Sequence, residues 1–259
     1  MLCIVVVEGV TQLHDVVYIV YYKSSTIVRF NATTRERLTD IDVRDLREPQ
    51  DIVACEQTSQ LYVSDSLKRV WRVSADGADI QLWWTKSLTD RFRPTSVSVT
   101  STRLLVTSCD ANQLMQLDSL GNEPRRVQLP DHMKPWHAVE SPTTTFIVSH
   151  YNMQLNQCQI SEVNTDGQEL RQFIGSRLSP LGFTPHITID SHGNVFVVER
   201  DDHRILLLDA QLRLRRVIID EHQLNDNRPY RLCYREPTGQ LLVGFDEDTK
   251  VVVFDVLRR

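Results

Sequence analysis

The chain has 259 residues, of which 41% are hydrophobic and 24% are charged, a composition of packed globular proteins and not of disordered, fibrous or membrane chains. Its formal net charge of −5 argues against a general electrostatic grip on DNA or RNA, because nonspecific nucleic-acid affinity comes mainly from lysine and arginine. The apolar opening at residues 2–7 is too short to span a membrane, so we expect no membrane partner.

The cysteines and the missing motifs argue against a metal or cofactor protein. Five cysteines form an odd set without a C-x-x-C pair, which disfavours both a zinc finger and a disulfide framework. Reduced thiols in a packed core are the simpler interpretation, so we expect a cytoplasmic protein. The sequence has no G-x-S-x-G, glycine-rich phosphate loop or H-E-x-x-H motif. We therefore expect no cofactor, no metal and no catalytic residue.

The first part of the chain predicts a small antiparallel sheet. Residues 1–47 contain four short runs rich in β-branched and aromatic residues, at 3–7, 16–21, 27–30 and 36–43. Polar turns separate these runs, which is typical of a four-stranded meander.

The same pattern recurs along the rest of the chain, each time near a proline: Pro49, Pro94, Pro135, Pro185 and Pro229. Proline cannot donate to a strand ladder, so it suits the segment that leads into a strand. A second strand follows in each unit, at 61–63, 104–106, 146–148, 195–197 and 241–243. A third and usually a fourth strand-like apolar run follow in each unit. In the last unit the third run is 251–256, and no fourth run follows it.

Four strands per unit and a period of about 40 to 50 residues are typical of a propeller blade. The sequence therefore predicts one all-β domain, a six-bladed β-propeller with four-stranded antiparallel blades at about 1–47, 48–93, 94–134, 135–184, 185–228 and 229–259. The sixth blade is expected to lack its outer strand. A β-sandwich would not explain the recurring proline.

This assignment of strands predicts where four side chains are buried. Cys55 and Cys233 should lie on buried innermost strands, because each follows a blade-opening proline within an apolar run. Val63 and Val197 should be buried between blades, because each lies in the apolar run of a second strand.

One unit resembles an NHL repeat. In residues 185–209, Asp190, Gly193, Asn194 and the run 203–205 fall where that motif has them, and residues 49–77 match more loosely. The chain departs from the family at several turns, since it has only nine glycines. The resemblance implies a binding platform, usually for proteins, with some family members reading single-stranded RNA.

Ligand-binding residues should lie on one face of the ring. In a propeller, the loops between second and third strands and the loops joining blades share a face, here called the loop face. The residues predicted to bind there are Arg93, Lys134, Trp136, His137, His150, Tyr151, His186, Arg200, Tyr230 and Arg231. Cations and aromatics gather on blades 2 to 4, and a longer connection at 149–157 points to the same sector.

Three functions follow from this set, in decreasing order of support. The first is a non-catalytic, monomeric scaffold that binds a protein or peptide through the basic and aromatic residues. The second is a module for single-stranded RNA, whereas DNA is not expected. The third is a metal-dependent lyase or lactonase, because His137, His150 and His186 could converge on a zinc ion near the central channel.

Overall fold

The strands of the computed structural model form six small antiparallel sheets, and the structure describes residues 6–87, 89–100, 102–174 and 185–256. Blades 1 to 3 comprise β1 (Val7–Leu13), β2 (Val16–Tyr21), β3 (Thr26–Asn31), β4 (Ile41–Asp42), β5 (Pro49–Cys55), β6 (Gln60–Asp65), β7 (Arg69–Ser74), β8 (Ile80–Thr85), β9 (Ser96–Val99), β10 (Leu104–Ser108), β11 (Gln113–Leu117) and β12 (Arg125–Gln128).

Blades 4 to 6 comprise β13 (Met133–Glu140), β14 (Phe146–Asn152), β15 (Gln157–Val163), β16 (Glu169–Phe173), β17 (Ile187–Ile189), β18 (Val195–Glu199), β19 (Arg204–Leu208), β20 (Leu214–Ile219), β21 (Pro229–Arg235), β22 (Gln240–Phe245) and β23 (Val251–Asp255). A one-turn helix, α1 (Glu221–Leu224), connects blades 5 and 6. Every sheet pairs its strands in sequence order, and the sixth has three strands where the others have four.

The first strands of the six sheets form the inner wall of a closed ring. They contact one another in the order β1, β5, β9, β13, β17 and β21, and β21 contacts β1 again. The fold is therefore the predicted six-bladed β-propeller, with its sixth blade lacking an outer strand among the described residues. No helix in the described part of the chain is long and apolar enough to cross a membrane.

Apolar side chains alternate along the strands and pack between neighbouring blades. Val63 and Val197 are 0% exposed, and each belongs to a cluster shared by two blades. The contact between blades 6 and 1 is held by Val7, Val10, Val17, Ile19 and Leu242. The backbones approach closely here, since a Cβ atom on Gly244 would lie 2.6 Å from Cγ1 of Val7.

Several boundaries differ from the prediction. The first strand is β1 (Val7–Leu13) and not residues 3–7, of which 3–5 lie outside the described residues. Blade 4 begins at Met133, two residues before Pro135, which lies inside β13 beside a β-bulge. A proline is tolerated there because the innermost strand has a free edge. Cys55 and Cys233 lie on innermost strands as predicted, but their side chains are only half-buried.

Burial between blades predicts which substitutions the fold rejects. Val63→Asp or Val197→Asp should unfold the protein, because an unpaired buried charge costs several kcal/mol against a total stability of about 5–15 kcal/mol. Val252→Asp is the matched control, since Val252 is 37% exposed. Circular dichroism melts of the three variants check this, and a cooperatively folded Val63→Asp protein would contradict the observed register.

Candidate functional site

One residue from each innermost strand lies at the same level of the channel. The strand registers align six equivalent positions, here called the axial ring: Gly9, Asp51, Ser96, His137, His186 and Arg231. His186 lies immediately before β17, His137 is the fifth residue of β13, and the other four lie among the first three residues of their strands, so the ring lies toward the end where the blade-joining segments enter. In blades 1, 2, 4 and 6 a β-bulge precedes the ring residue and leaves one half-buried side chain beside it: Glu8, Gln50, Trp136 and Tyr230.

Asp51 joins blade 2 to blade 3. Its side chain is nearly fully buried, and its two oxygens accept the backbone N–H groups of Ile52 (2.9 Å) and Val97 (3.1 Å). Burial raises the pKa of Asp51 to about 7, although the Arg231 guanidinium and these two hydrogen bonds oppose the shift. The carboxyl group therefore satisfies backbone donors at the free inner edge of the sheets.

His186 does the same between blades 5 and 6. Its Nδ1 accepts the backbone N–H of Leu232 at 3.3 Å, and Leu232 occupies the position equivalent to Val97. Since Nδ1 accepts this bond, the proton of the neutral imidazole lies on Nε2. Burial lowers the pKa of His186 well below its ordinary value, and His137 and Arg231 lower it further. His186 is therefore neutral at neutral pH.

His137 stacks on His186. The ring centroids are 4.0 Å apart with an interplanar angle of 29°. Burial, with a contribution from Arg231, lowers the pKa of His137 to about 3, so the stacked pair carries no charge repulsion at neutral pH. The Nε2 atoms of His137 and His186 lie 3.8 and 4.0 Å from Oδ2 of Asp51, which is too far for a hydrogen bond.

Arg231 closes the ring at this level. Its Nη2 donates to Oε2 of Glu8 (2.9 Å) in blade 1 and to the carbonyl of Gln50 (3.0 Å) in blade 2. The guanidinium also lies over the Tyr230 ring, 4.4 Å from its centroid. Burial lowers the pKa of Arg231, but Tyr230, Glu8 and Asp51 outweigh it, so the charge is retained. Nε and Nη1 of Arg231 have no hydrogen-bond partner among the described residues.

The group of Asp51, His137 and His186 has the residue types of a metal site. One ligand atom from each lies within 4.8 Å of the others. Nδ1 of His186 and one lone pair on each oxygen of Asp51 are used in hydrogen bonds to backbone N–H groups. Nε2 of His186 and Nδ1 of His137 have no hydrogen-bond partner among the described residues. The three residues hold the blades together, and a metal ion here would require Nε2 of His186 to lose its proton.

His150 does not join this cluster. It is buried within blade 4, where its Nε2 lies 2.8 Å from Oγ of Ser161. The predicted long loop at 149–157 is in fact an extended hairpin, because β14 continues to Asn152 and pairs there with Gln157. The predicted convergence of His137, His150 and His186 is therefore wrong, and Asp51 takes the third place.

The other predicted residues lie farther from the axis. Arg93 forms an ion pair with Asp110 at 2.9 Å, and Arg200 forms one with Asp246. Lys134 and Tyr151 face each other across β13 and β14. Both side chains are half-buried, as is that of Trp136. The loop face thus brings Lys134, Trp136 and Tyr151 together on blade 4, whereas Arg93 and Arg200 are tied to carboxylates.

The two acidic residues at this level, Asp51 in the axial ring and Glu8 beside it, were not among the predicted site residues. Asp51 follows Pro49 closely and interrupts an apolar strand, and Glu8 interrupts the apolar run that begins β1. A carboxylate inside an otherwise apolar innermost strand is the signal that could have found both, because such a group is rarely buried without a partner.

The Arg231–Glu8 pair predicts a measurable coupling. Arg231→Met leaves the Glu8 carboxylate without its partner and should cost about 3–5 kcal/mol of unfolding free energy. The double variant Glu8→Gln/Arg231→Met should lose less than the sum of the single variants, by about 1 kcal/mol or more. Urea unfolding of the four proteins measures this. The exposed pair Arg37–Asp40 is the control, and additivity at Arg231–Glu8 would contradict a closing role.

Burial of His137 predicts a pH dependence of stability. Its pKa is about 3 in the folded protein and about 6.5 ordinarily. The unfolded chain therefore binds the proton first as pH falls, and stability is lost between pH 6.5 and 3 at about 1.4 kcal/mol per unit. His137→Phe, which keeps the ring stack, should remove that part of the slope. Urea unfolding at pH 4 to 7 checks this, with the exposed His192→Phe as control, and equal slopes would refute it.

No protein-family profile matches the chain, and no curated protein matches it significantly in sequence. Similar solved structures include a protein of unknown function from Bacteroides caccae (TM-score 0.69, 15% identity, 93% of this chain and 90% of that one). A nidogen/laminin complex is also similar (TM-score 0.68, 16% identity, 88% and 83%). So is a catalytically inactive virginiamycin B lyase from Staphylococcus aureus with quinupristin (TM-score 0.69, 13% identity, 96% and 94%). At these identities the likeness shows the fold alone, a β-propeller shared by a protein-binding complex and a lyase.

Proposed function

We propose that this chain is a non-catalytic binding module of the NHL type that recognises a protein or peptide on its loop face. The observation that carries the proposal is the arrangement at the channel mouth. The axial ring forms a packed, hydrogen-bonded floor, and half-buried Trp136 and Tyr230 lie beside it at equivalent β-bulges. Large aromatic side chains on a rigid support carry much of the free energy of protein binding.

The chemistry at the mouth favours a partner segment with a carboxylate. Arg231 keeps its charge, and its Nε and Nη1 donors have no partner among the described residues. Lys134 lies two residues before Trp136 on the same innermost strand, β13. A carboxylate on the partner would be attracted by the positive charges of Lys134 and of the buried Arg231.

Protein is favoured over RNA by the charge balance. The chain has a net charge of −5, and Arg93 and Arg200, two of the predicted cations, are paired with Asp110 and Asp246. A groove for single-stranded RNA needs several cations free to neutralise phosphates. The nidogen/laminin complex is a case of a similar fold in a complex between proteins.

Binding is favoured over catalysis by the hydrogen bonds of the channel. Asp51, whose pKa of about 7 would suit a general base, is nearly fully buried and already accepts one backbone N–H group at each oxygen. His186 cannot accept a proton at Nδ1 without losing its bond to Leu232. The cluster therefore serves as the floor of the binding site. The free state of the described cysteines fits a reducing, cytoplasmic location.

Replacing Trp136 tests the proposal. Trp136→Ala should weaken a captured partner by about 2 kcal/mol, roughly thirtyfold, with a nearly unchanged melting temperature. Trp83→Ala, which removes a half-buried tryptophan from β8 on the outside of blade 2, should leave the affinity intact. The measurement is capture from a lysate, followed by calorimetric titration of the isolated partner at two salt concentrations.

The outcomes separate the candidate functions. A protein partner whose affinity drops with Trp136→Ala and responds weakly to salt supports the proposal. An oligonucleotide partner whose affinity falls steeply with salt would replace it with RNA binding. Equal affinity of Trp136→Ala and wild type would place the site away from the loop face.

A further inference from the structure

The outer edge of blade 6 is open. Its last strand among the described residues, β23, lies at the edge of the sheet, next to β22 only. Val252 and Val253 at its centre are 37% and 42% exposed, although the central residues of the other third strands are mostly buried. A strand edge with apolar side chains and unpaired N–H and C=O groups is a template for another strand.

Two grooves flank β23. The groove toward blade 1 has a volume of ≈ 520 Å³, and its apolar lining includes Val17, Ile19, Phe30, Leu242, Val251 and Val253. The groove toward blade 5 has a volume of ≈ 490 Å³, and its apolar lining includes Val217, Ile218, Ile219, Val253, Phe254 and Val256. Successive side chains of a strand point to opposite faces of a sheet. One added strand beside β23 would therefore place alternate side chains in the two grooves.

The other blades show what such a strand contributes. Each of the five other interblade clusters contains a residue from a fourth strand: Ile41, Trp84, Val127, Phe173 and Ile219. The cluster between blades 6 and 1 has no such residue from blade 6 among the described residues. This interface thus lacks an apolar contribution that every other interface has.

We propose that the open edge of blade 6 binds a single extended segment of a partner polypeptide, antiparallel to β23, with apolar side chains at alternate positions and at least one acidic residue. Main-chain hydrogen bonds provide the affinity, and the two grooves read the alternate side chains. The acidic residue follows from the charged groups that line the grooves. These are three cations, Arg35, Lys250 and Arg216, against the lining carboxylate of Asp255 and that of Asp248, which lies 3.5 Å from Nζ of Lys250, in a chain of net charge −5.

The depth of the edge favours one strand over a second copy of the propeller. In blades 5 and 1 a fourth strand, β20 or β4, lies outside the third, so β23 is set back by one strand spacing of about 4.8 Å. Two such recessed edges would meet only if the flanking blades of the two copies overlapped. A lone extended segment has no such obstacle. This surface is separate from the loop face and does not depend on the function proposed there.

The test uses a displayed library of twelve-residue peptides selected against the whole chain. Peptides with alternating apolar residues and an acidic residue should be enriched. Their affinity should fall tenfold or more with Val253→Lys, which puts a charge into the groove toward blade 1. Leu214→Lys, at a 52% exposed position of β20, is the matched control and should bind normally. Melting curves confirm that both variants fold, and hydrogen exchange should show protection of the β23 amides on binding.

Each other result would overturn the proposal. These results are failure to enrich any alternating peptide, equal binding by wild type and Val253→Lys, or protection of amides away from β23. A concentration-dependent dimer that protects β23, measured by sedimentation, would assign the edge to a second copy. Trp136→Ala should leave peptide binding here unchanged, so failure of the loop-face proposal is told apart from failure of this one.

Discussion

The guanidinium of Arg231 is the contact on which closure of the ring depends. One nitrogen of this side chain, fixed in blade 6, reaches the carboxylate of Glu8 in blade 1 and the backbone of blade 2. The blade that supplies Arg231 has three strands in the described structure, whereas each other blade has four. It therefore brings one strand fewer to its contact with the next blade. A buried charge pair is costly to form but more costly to break, and here it links the three-stranded blade to blade 1.

Each innermost strand has a free edge whose backbone groups need hydrogen-bond partners. An innermost strand has a neighbour on one side only, so its other edge presents backbone groups toward the channel, where burial without partners would be expensive. Side chains of the preceding blade supply those partners: Thr11 accepts from Ala54, Asp51 from Val97 and His186 from Leu232, while Ser98 donates to the carbonyl of Ala138. The polar residues at the axis thus have a structural role in joining neighbouring blades, whatever ligand the site binds.

This double role explains what the sequence could and could not predict. The blades, their order and the burial of Val63 and Val197 follow from local alternation, which repeats with each unit and needs no knowledge of the ring. The axial cluster does not follow, because it depends on how six separate strands are aligned, and a β-bulge before Asp51, His137 and Arg231 shifts each strand by one residue. His150 was misplaced because the extra residues at 149–157 were interpreted as a loop, whereas they extend the two paired strands of the blade 4 hairpin.

The same ring also constrains the order in which the protein folds. Strands within a blade are joined by short turns, so each blade can form from local contacts. The pair Arg231 and Glu8 is separated by 223 residues, and the entropy lost on closing so long a loop cannot be recovered until the intervening blades have stacked. This loop-closure entropy favours a folding order in which blades 1 and 6 meet last.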